Sequence, residues 1–484
     1  MTVVPAQIQP APGPFEEAWP GPEGRPSVAT LAGAAGTGLV AALALVLNLP
    51  GLGWLLTGLT VAATAVVTAW AAGQRRARPA QLGWGAAALA LLAAGVLRAE
   101  GWVFAYCVLG ALLAGSLAVA GGRTVPGLAR GMAAGPVAAI RALPWVRRGL
   151  AALRGRRGPA PSRIGRSVLV AAALVVVFGG LLASADPAFR TLLTSLSPDL
   201  HGTGPARAGF CFVVGTVIAL GTAYLAARRP AFDALAPLPP ARPVRRIEWA
   251  VPLVALDLLF LVFAIVQFTV YFDGQWAGTD YARYTRSGFF QLVAVTALTL
   301  VVLAVAVRVA PRQDAADRTL LRLLLGALAV LALVIVASAL LRLGRYEQAY
   351  GWTRLRVLVG AVEVWLGLLF VLILGAGVRL RAGWLPRAVA GTAVAGLLLV
   401  ALVSPDRFIA DRNVDRYFRT GDIDVHYLST LSADAVPALD RLPEPARSCA
   451  LWQIAVDLKP DDWRSWNLGR AEARTILARH EVHC

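Results

Sequence analysis

The chain has 484 residues, of which 57% are hydrophobic and 15% charged, and its mean hydropathy is +0.64. That balance excludes a soluble globular protein and makes the bilayer the main solvent. The formal net charge of +18 comes without zinc-ligand spacing, an RNA-binding signature or a soluble basic domain, so no nucleic-acid partner is expected; arginines flanking apolar spans follow the positive-inside pattern instead.

Residues 1–27 carry prolines and Glu16, Glu17 and Glu23 where a signal peptide would place a basic region. They read as a disordered cytoplasmic tail with no cleavable signal. Each apolar run of roughly 20 residues can cross a hydrocarbon core of about 30 Å. Four such runs, at 28–47, 52–73, 80–97 and 101–121, form an N-terminal transmembrane region over 28–121. Residues 122–166 form a basic amphipathic linker, with Arg130, Arg141, Arg147, Arg148 and Arg154 spaced between apolar patches, suited to the cytoplasmic interface and its anionic lipids. A core transmembrane region over 167–404 supplies seven further spans, at 167–184, 206–226, 249–272, 288–309, 320–343, 357–378 and 385–404. The expected fold is therefore all-α, a polytopic transmembrane bundle of about eleven spans with a small C-terminal helical aqueous domain over residues 405–484.

Arginines fix the expected orientation. Arg75, Arg76 and Arg78, the segment 123–166, and Arg228, Arg229, Arg242, Arg245 and Arg246 fall in alternate connections. With Arg308, Arg312, Arg318, Arg379, Arg381 and Arg387 on the same side, about 25 basic residues face about 9. The protein is then a multi-pass cell-membrane protein with a cytoplasmic N-terminus and an extracytoplasmic C-terminus.

Asp257 and Glu363 lie inside strongly apolar runs, where a carboxylate is costly unless paired, protonated or facing water. Asp257 sits about 12 Å from the cytoplasmic end of its span and Glu363 about 9 Å from the external end of its own, so they do not form a dyad. Together with Gln267 and Gln291 they read either as stations of a proton or cation path or as glue between helices, with Glu363 reaching Arg356.

Two external connections concentrate polar and aromatic chemistry. The first, YFDGQWAGTDYARYTRSGFFQL, carries Trp276, Asp280, Tyr281, Arg283, Tyr284 and Arg286. The second, LRLGRYEQAYGWTRLRV, carries Arg342, Arg345, Tyr346, Glu347, Tyr350, Trp352, Arg354 and Arg356. Arginine forks suit carboxylates or phosphates and aromatic rings suit sugars or lipid headgroups, so these residues are candidate ligand contacts. The alternatives are an aromatic belt at the interface or charges paired with one another.

Both connections resemble recurring motifs, YARYTRSGFFQL and YEQAYGWTRLRV, of a bacterial multi-pass membrane family catalogued as a domain of unknown function. A third segment, SPDRFIADRNVDRYFRTGDIDVHYLSTLSADAVPAL, is similar to that family's exit from the membrane, with Asn413, Arg416, Gly421, Asp424, Tyr427, Leu428 and Ser432 to Pro437 at matching places. The resemblance implies the membrane architecture over roughly residues 165 to 475. It implies no activity.

Beyond Pro405, PEPARSCALWQIAVDL and DDWRSWNLGRAEARTILARH read as a helical hairpin that brings Cys449 and Cys484 together. A disulfide fits that geometry and an oxidising compartment; free thiols, or a metal site with His480 and His483, are the alternatives. No metal or other cofactor is expected, because phosphate-binding, zinc-hydrolase and dinucleotide signatures are missing. Three functional readings stay open. The leading one is a non-catalytic envelope sensor or scaffold that meets membrane lipids and a membrane or envelope protein; enzymatic activity is not the favoured reading. The others are a transporter or lipid-handling protein using intramembrane carboxylates, and an intramembrane transferase using Asp186, Asp273 or Asp280.

Overall fold

The computed structural model describes residues 14–74, 78–153, 178, 182, 185–187, 189, 191, 204–235, 245–273, 281–310, 314–379, 382–479, 482 and 484, with side chains 270–273, 281–290 and 379 excepted. Its longer apolar runs are helices, as the bilayer demands of a backbone whose polar groups must be satisfied internally. Nine described helices are long and apolar enough to cross a membrane, and Val28–Ala44 is a shorter apolar one. The expected span at 167–184 lies largely outside the described residues. No strand occurs among the described residues. The chain forms two compact units, Met1–Leu235 with Asp461–Asn467, and Ala236–Pro460 with Leu468–Cys484.

The first unit contains α1 (Pro14–Ala18), α2 (Val28–Ala44), α3 (Leu52–Ala71), α4 (Pro79–Leu97), α5 (Gly101–Ala120), α6 (Val125–Leu153) and α7 (Pro205–Ala227). Helix α2 ends at Ala44, before the expected 47. At 17 residues it rises about 26 Å, marginally short for a full crossing. Its terminal carbonyls are met by a buried arginine: Arg207 of α7, 4% exposed, donates to Ala42 O at 3.2 Å and to Leu45 O. Helices α2 and α3 are stitched by hydroxyls, Thr30 to Thr68 at 3.1 Å and Thr37 to Thr64 at 3.2 Å.

Part of the expected disordered tail is folded. Phe15 and Trp19 lie one turn apart, Trp19 is 1% exposed and packs edge-on against Phe232 at 5.3 Å. Arg141 stacks over its ring at 4.7 Å and donates to its carbonyl at 3.0 Å. This aromatic burial outweighs the ordering cost of a proline-rich segment.

The basic linker forms α6, and its inner face of Ala134, Ala138, Ala142 and Trp145 packs with Ala223, Tyr224 and Leu225 of α7. Its outer face keeps Ile140, Leu143, Leu150 and Leu153 exposed. Before Pro136 the Ser116 hydroxyl donates to Gly131 O at 2.6 Å and accepts Gly135 N–H at 3.0 Å, a hydroxyl inserted into the helical ladder. Asp233 accepts from the Arg123 and Thr124 amides at 2.9 and 3.0 Å and so fixes the entry to α6.

The second unit contains α8 (Arg246–Asp273), α9 (Tyr281–Val309), α10 (Ala315–Tyr350), α11 (Arg354–Arg379), α12 (Leu385–Val403), α13 (Pro405–Thr420), α14 (Val425–Ser429), α15 (Val436–Leu439), α16 (Ala446–Asp457) and α17 (Leu468–Leu477). Trp249, Leu253, Phe260, Leu303, Leu328, Ile335 and Phe370 anchor its apolar core. Helix α10, with 36 residues, is about 54 Å long and outruns the hydrocarbon. The sequence YEQAY, read as loop, continues this helix because Glu, Gln and Ala all favour it. Gly351 ends it with φ of 76°. YARYTRSGFF likewise begins α9.

The expected hairpin is half as continuous as its sequence suggests. Helix α16 forms, but the second helix starts at Leu468, not Asp461. Asp462 accepts from the Arg464 and Ser465 amides, both at 3.0 Å, a local turn that competes with helix. The segment belongs to the first unit: Arg464 O accepts from Gly53 N at 2.9 Å, and Asn467 donates to Gly95 O at 2.8 Å and Arg98 O at 2.7 Å.

Candidate functional site

Two of the three resembling motifs meet where α10 turns into α11 and where α13 begins, all within the second unit. At Gly351 a side-chain carbon would collide with Asn413 Oδ1. That oxygen accepts the Trp352 amide at 3.1 Å, while Asn413 Nδ2 donates to Trp352 O at 3.0 Å and Ile409 O at 2.8 Å. Trp352 packs edge-on against Phe408 at 4.9 Å.

Beside this turn lies a bidentate ion pair. Arg354 Nε and Nη2 donate to Asp406 at 2.7 and 2.6 Å, and the Asp406 side chain is 0% exposed against 34% for Arg354. The Ser432 amide donates to Asp406 Oδ2 at 2.8 Å, Arg354 Nη2 donates to Thr430 O at 3.1 Å, and the Arg354 amide donates to Tyr427 Oη at 2.8 Å. Burial pushes the Tyr427 hydroxyl above its ordinary range, and the Arg354 amide partly offsets this. The pair is costly to desolvate but geometrically complete, so removing one member leaves the other uncompensated.

Arginines also satisfy the end of α10. Arg356 donates to Tyr350 O at 3.2 Å and to Gly351 O, and Arg416 donates to Ala349 O at 2.9 Å. These close the orphan carbonyls of the last turn. Arg356 lies over the Tyr346 ring at 4.4 Å, and Tyr346 and Tyr350 are 4.8 Å apart. The second connection is thus brought together as a junction in which most of its polar groups are occupied by the protein. Arg345 and Tyr350 are exposed and Glu347 is buried.

Of the first connection, Trp276 and Asp280 lie outside the described residues, and Tyr281, Arg283, Tyr284 and Arg286 occupy the start of α9 without described side chains. Asp186 accepts the Phe189 amide at 3.1 Å.

Within the membrane helices, Gln267 accepts from Ser338 at 3.1 Å and Arg342 at 2.7 Å, joining α8 to α10. Glu363 is 0% exposed, and among the described residues neither its carboxylate nor that of Asp257 has a hydrogen-bond partner. Arg356, expected as a partner for Glu363, caps α10 instead. Gln291 is exposed. Helices α8 and α10 run parallel, because Arg246–Asp317 and Gln267–Ser338 share an offset of 71. Gly360 faces Leu343 and Gly367 faces Val336, which sets Glu363 opposite Leu340, about 18 Å along the bundle from Asp257.

Cys449 and Cys484 form a disulfide with their Cα atoms 4.8 Å apart. Cys107 and Cys211 are free and buried. Sequence reasoning missed Asp406 and Arg207. The first was signalled by an acid just after Ser-Pro at a helix start, the second by a lone arginine inside an apolar run.

No curated protein and no solved structure matches the chain. The family model for Domain of unknown function (DUF4153) matches residues 86–442, a range that contains the Arg354–Asp406 pair and the Gly351–Asn413 contact, and the chain belongs to that family of membrane-associated proteins.

Proposed function

We propose that this integral membrane protein is a non-catalytic scaffold or sensor of the cell envelope, with its N-terminus in the cytoplasm and residues 405–484 outside. The observation that carries this reading is the Arg354–Asp406 pair, which fastens the start of the C-terminal domain to the α10–α11 turn. An arrangement that commits its arginines to internal carboxylates and carbonyls suits transmission of position better than capture of a small anion. Disulfide closure of the same domain fits an oxidising compartment. Trp452 and Val456, one turn apart on α16 and 45% and 58% exposed, give the domain an apolar face for a protein partner.

The test is photo-crosslinking in intact cells from a reactive residue at position 452. A discrete protein adduct that is lost when Arg354 is replaced by alanine supports the reading. An adduct unaffected by that replacement, or lipid adducts alone, contradicts it.

A second reading, transport or lipid handling, is favoured by the Glu363 and Asp257 carboxylates, which have no hydrogen-bond partner among the described residues. It requires that Glu363→Gln and Asp257→Asn abolish a proton or cation flux measured in sealed vesicles. Unchanged flux in both variants would eliminate it.

A further inference from the structure

Helix α6 crosses the end of the first unit instead of running through it. From Gly131 to Gly149 it rises about 27 Å, yet its neighbours on the spanning helices hardly change depth. Gly131 lies against Leu117 and Gly121, and Gly135 against Ser116, at the end of α5, which stops at Ala120. Ala139 meets Gly221 and Trp145 meets Tyr224 on α7, which stops at Ala227. Gly149 lies against Pro26 and Leu31, at the start of α2. Each of these contacts falls within about 9 Å of a helix end. A helix that spanned the bilayer beside α5 and α7 would have moved along them by roughly its own rise.

At 3.6 residues per turn, the inner face of Ala134, Ala138, Ala142 and Trp145 is flanked by two unlike edges. Arg130, Arg141 and Arg148, spaced by eleven and seven, fall on one edge. Leu143 and Leu150, spaced by seven, fall on the other and are 38% and 41% exposed. Between the edges the outermost row carries Val137 and Ile140, also exposed, and Arg147. The basic edge faces the aqueous side, because Arg141 donates to Trp19 O in the tail that carries the exposed Glu16 and Glu17. The leucine edge therefore faces the hydrocarbon. No carboxylate occurs between Val125 and Leu153, so the helix brings arginines and no acid to the surface on which it lies.

We propose that α6 lies in the plane of one membrane surface as an interfacial helix whose partner is an anionic leaflet: Leu143 and Leu150 enter the acyl layer, while Arg147 and Arg148 lie among the lipid phosphates. Such helices bury their apolar side about 5–10 Å into the boundary between headgroups and acyl chains. That is the depth at which α6 meets α5 and α7. The two arginines supply the charge that an anionic surface attracts, and the long side chain of Arg147 lets its guanidinium reach the phosphates from the outermost row.

The test uses the full chain in nanodiscs, which expose both membrane faces, so its outcome is independent of the side on which the N-terminus lies. A nitroxide is attached to Leu143→Cys, Leu150→Cys or Arg148→Cys; Cys107 and Cys211 are buried, and Cys449 and Cys484 are paired. Collisions with membrane-soluble oxygen should dominate at positions 143 and 150, and collisions with a water-soluble nickel chelate at position 148. On the chain without substitutions, hydrogen exchange of the α6 amides should be roughly 25-fold slower in phosphatidylglycerol discs than in phosphatidylcholine discs, about fivefold for each of Arg147 and Arg148. Arg147→Gln/Arg148→Gln should remove most of that difference.

Three results would overturn the proposal. Nickel access at positions 143 and 150 equal to that at 148 would put the leucine edge in water. Exclusion of both reagents from those positions would mean that protein, a second copy or another chain, covers the helix. Equal exchange of the α6 amides in the two lipids would deny the helix its anionic partner.

Discussion

Replacing Arg354 by alanine strands the Asp406 carboxylate in a site with no exposure. Two short charge-assisted bonds are lost, together with the Arg354–Thr430 bond that helps hold the chain after α14. Breaking a buried pair by removing one partner costs about 3–5 kcal/mol, and the one-third exposure of Arg354 argues for the lower end, about 3 kcal/mol. The Ser432 amide continues to donate to Asp406, which keeps the cost from rising further. Because the pair joins α11 to the start of α13, the loss should fall on local opening of residues 405–440. Hydrogen exchange of that segment in nanodiscs should accelerate roughly a hundredfold, the equivalent of about 3 kcal/mol. The double variant Arg354→Met/Asp406→Leu, which removes both charges, should recover most of the protection. Exchange within about threefold of wild type in Arg354→Ala would refute the reasoning, since a coupling near zero is what an ordinary surface pair gives.

Gly351→Ala combines a positive φ with a collision against Asn413, and should destabilise the α10–α11 turn by about 1–3 kcal/mol, seen as a lower melting temperature. Arg207→Met removes the donor that meets the Ala42 and Leu45 carbonyls, and a loss of about 2 kcal/mol in stability, seen as a lower melting temperature, is expected; an unchanged melt would show that these carbonyls find other partners. Burial raises the Asp462 carboxyl, but hydrogen bonds from Arg464 and Ser465 outweigh it and hold it at about 2, below its ordinary 3.8. Its contribution is therefore complete above pH about 4 and disappears as pH falls through about 2. With that side chain 41% exposed, the effect stays within about 1 kcal/mol, measurable as acid-dependent exchange of residues 461–467 that Asp462→Asn abolishes.

The membrane architecture was legible because a run of some 20 apolar residues is stable in few settings besides a bilayer. Helix ends were less so. Where the helix through YEQAY stops depends on Gly351 adopting a positive φ against Asn413, a contact 62 residues away in sequence. Trp19 looked like part of an acidic, proline-rich tail because its partners, Arg141 and Phe232, are distant. In the second connection the sequence displayed the right residues but not their occupation. An arginine aimed at a ligand and an arginine aimed at Asp406 are identical until the fold supplies the carboxylate. The apolar environment of Glu363 was visible as a run of letters, whereas the absence of a hydrogen-bond partner for it among the described residues required the packing of α10 and α11.

Residues 405–484 are central, since both the scaffold reading and the disulfide depend on the compartment they occupy. Thr420, exposed at the end of α13 and away from the Trp452–Val456 face, can be replaced by cysteine while Cys449 and Cys484 stay paired. A membrane-impermeant maleimide applied to intact cells should label Thr420→Cys fully without permeabilisation. Labelling only after the membrane is opened would place the domain in the cytoplasm and contradict the account.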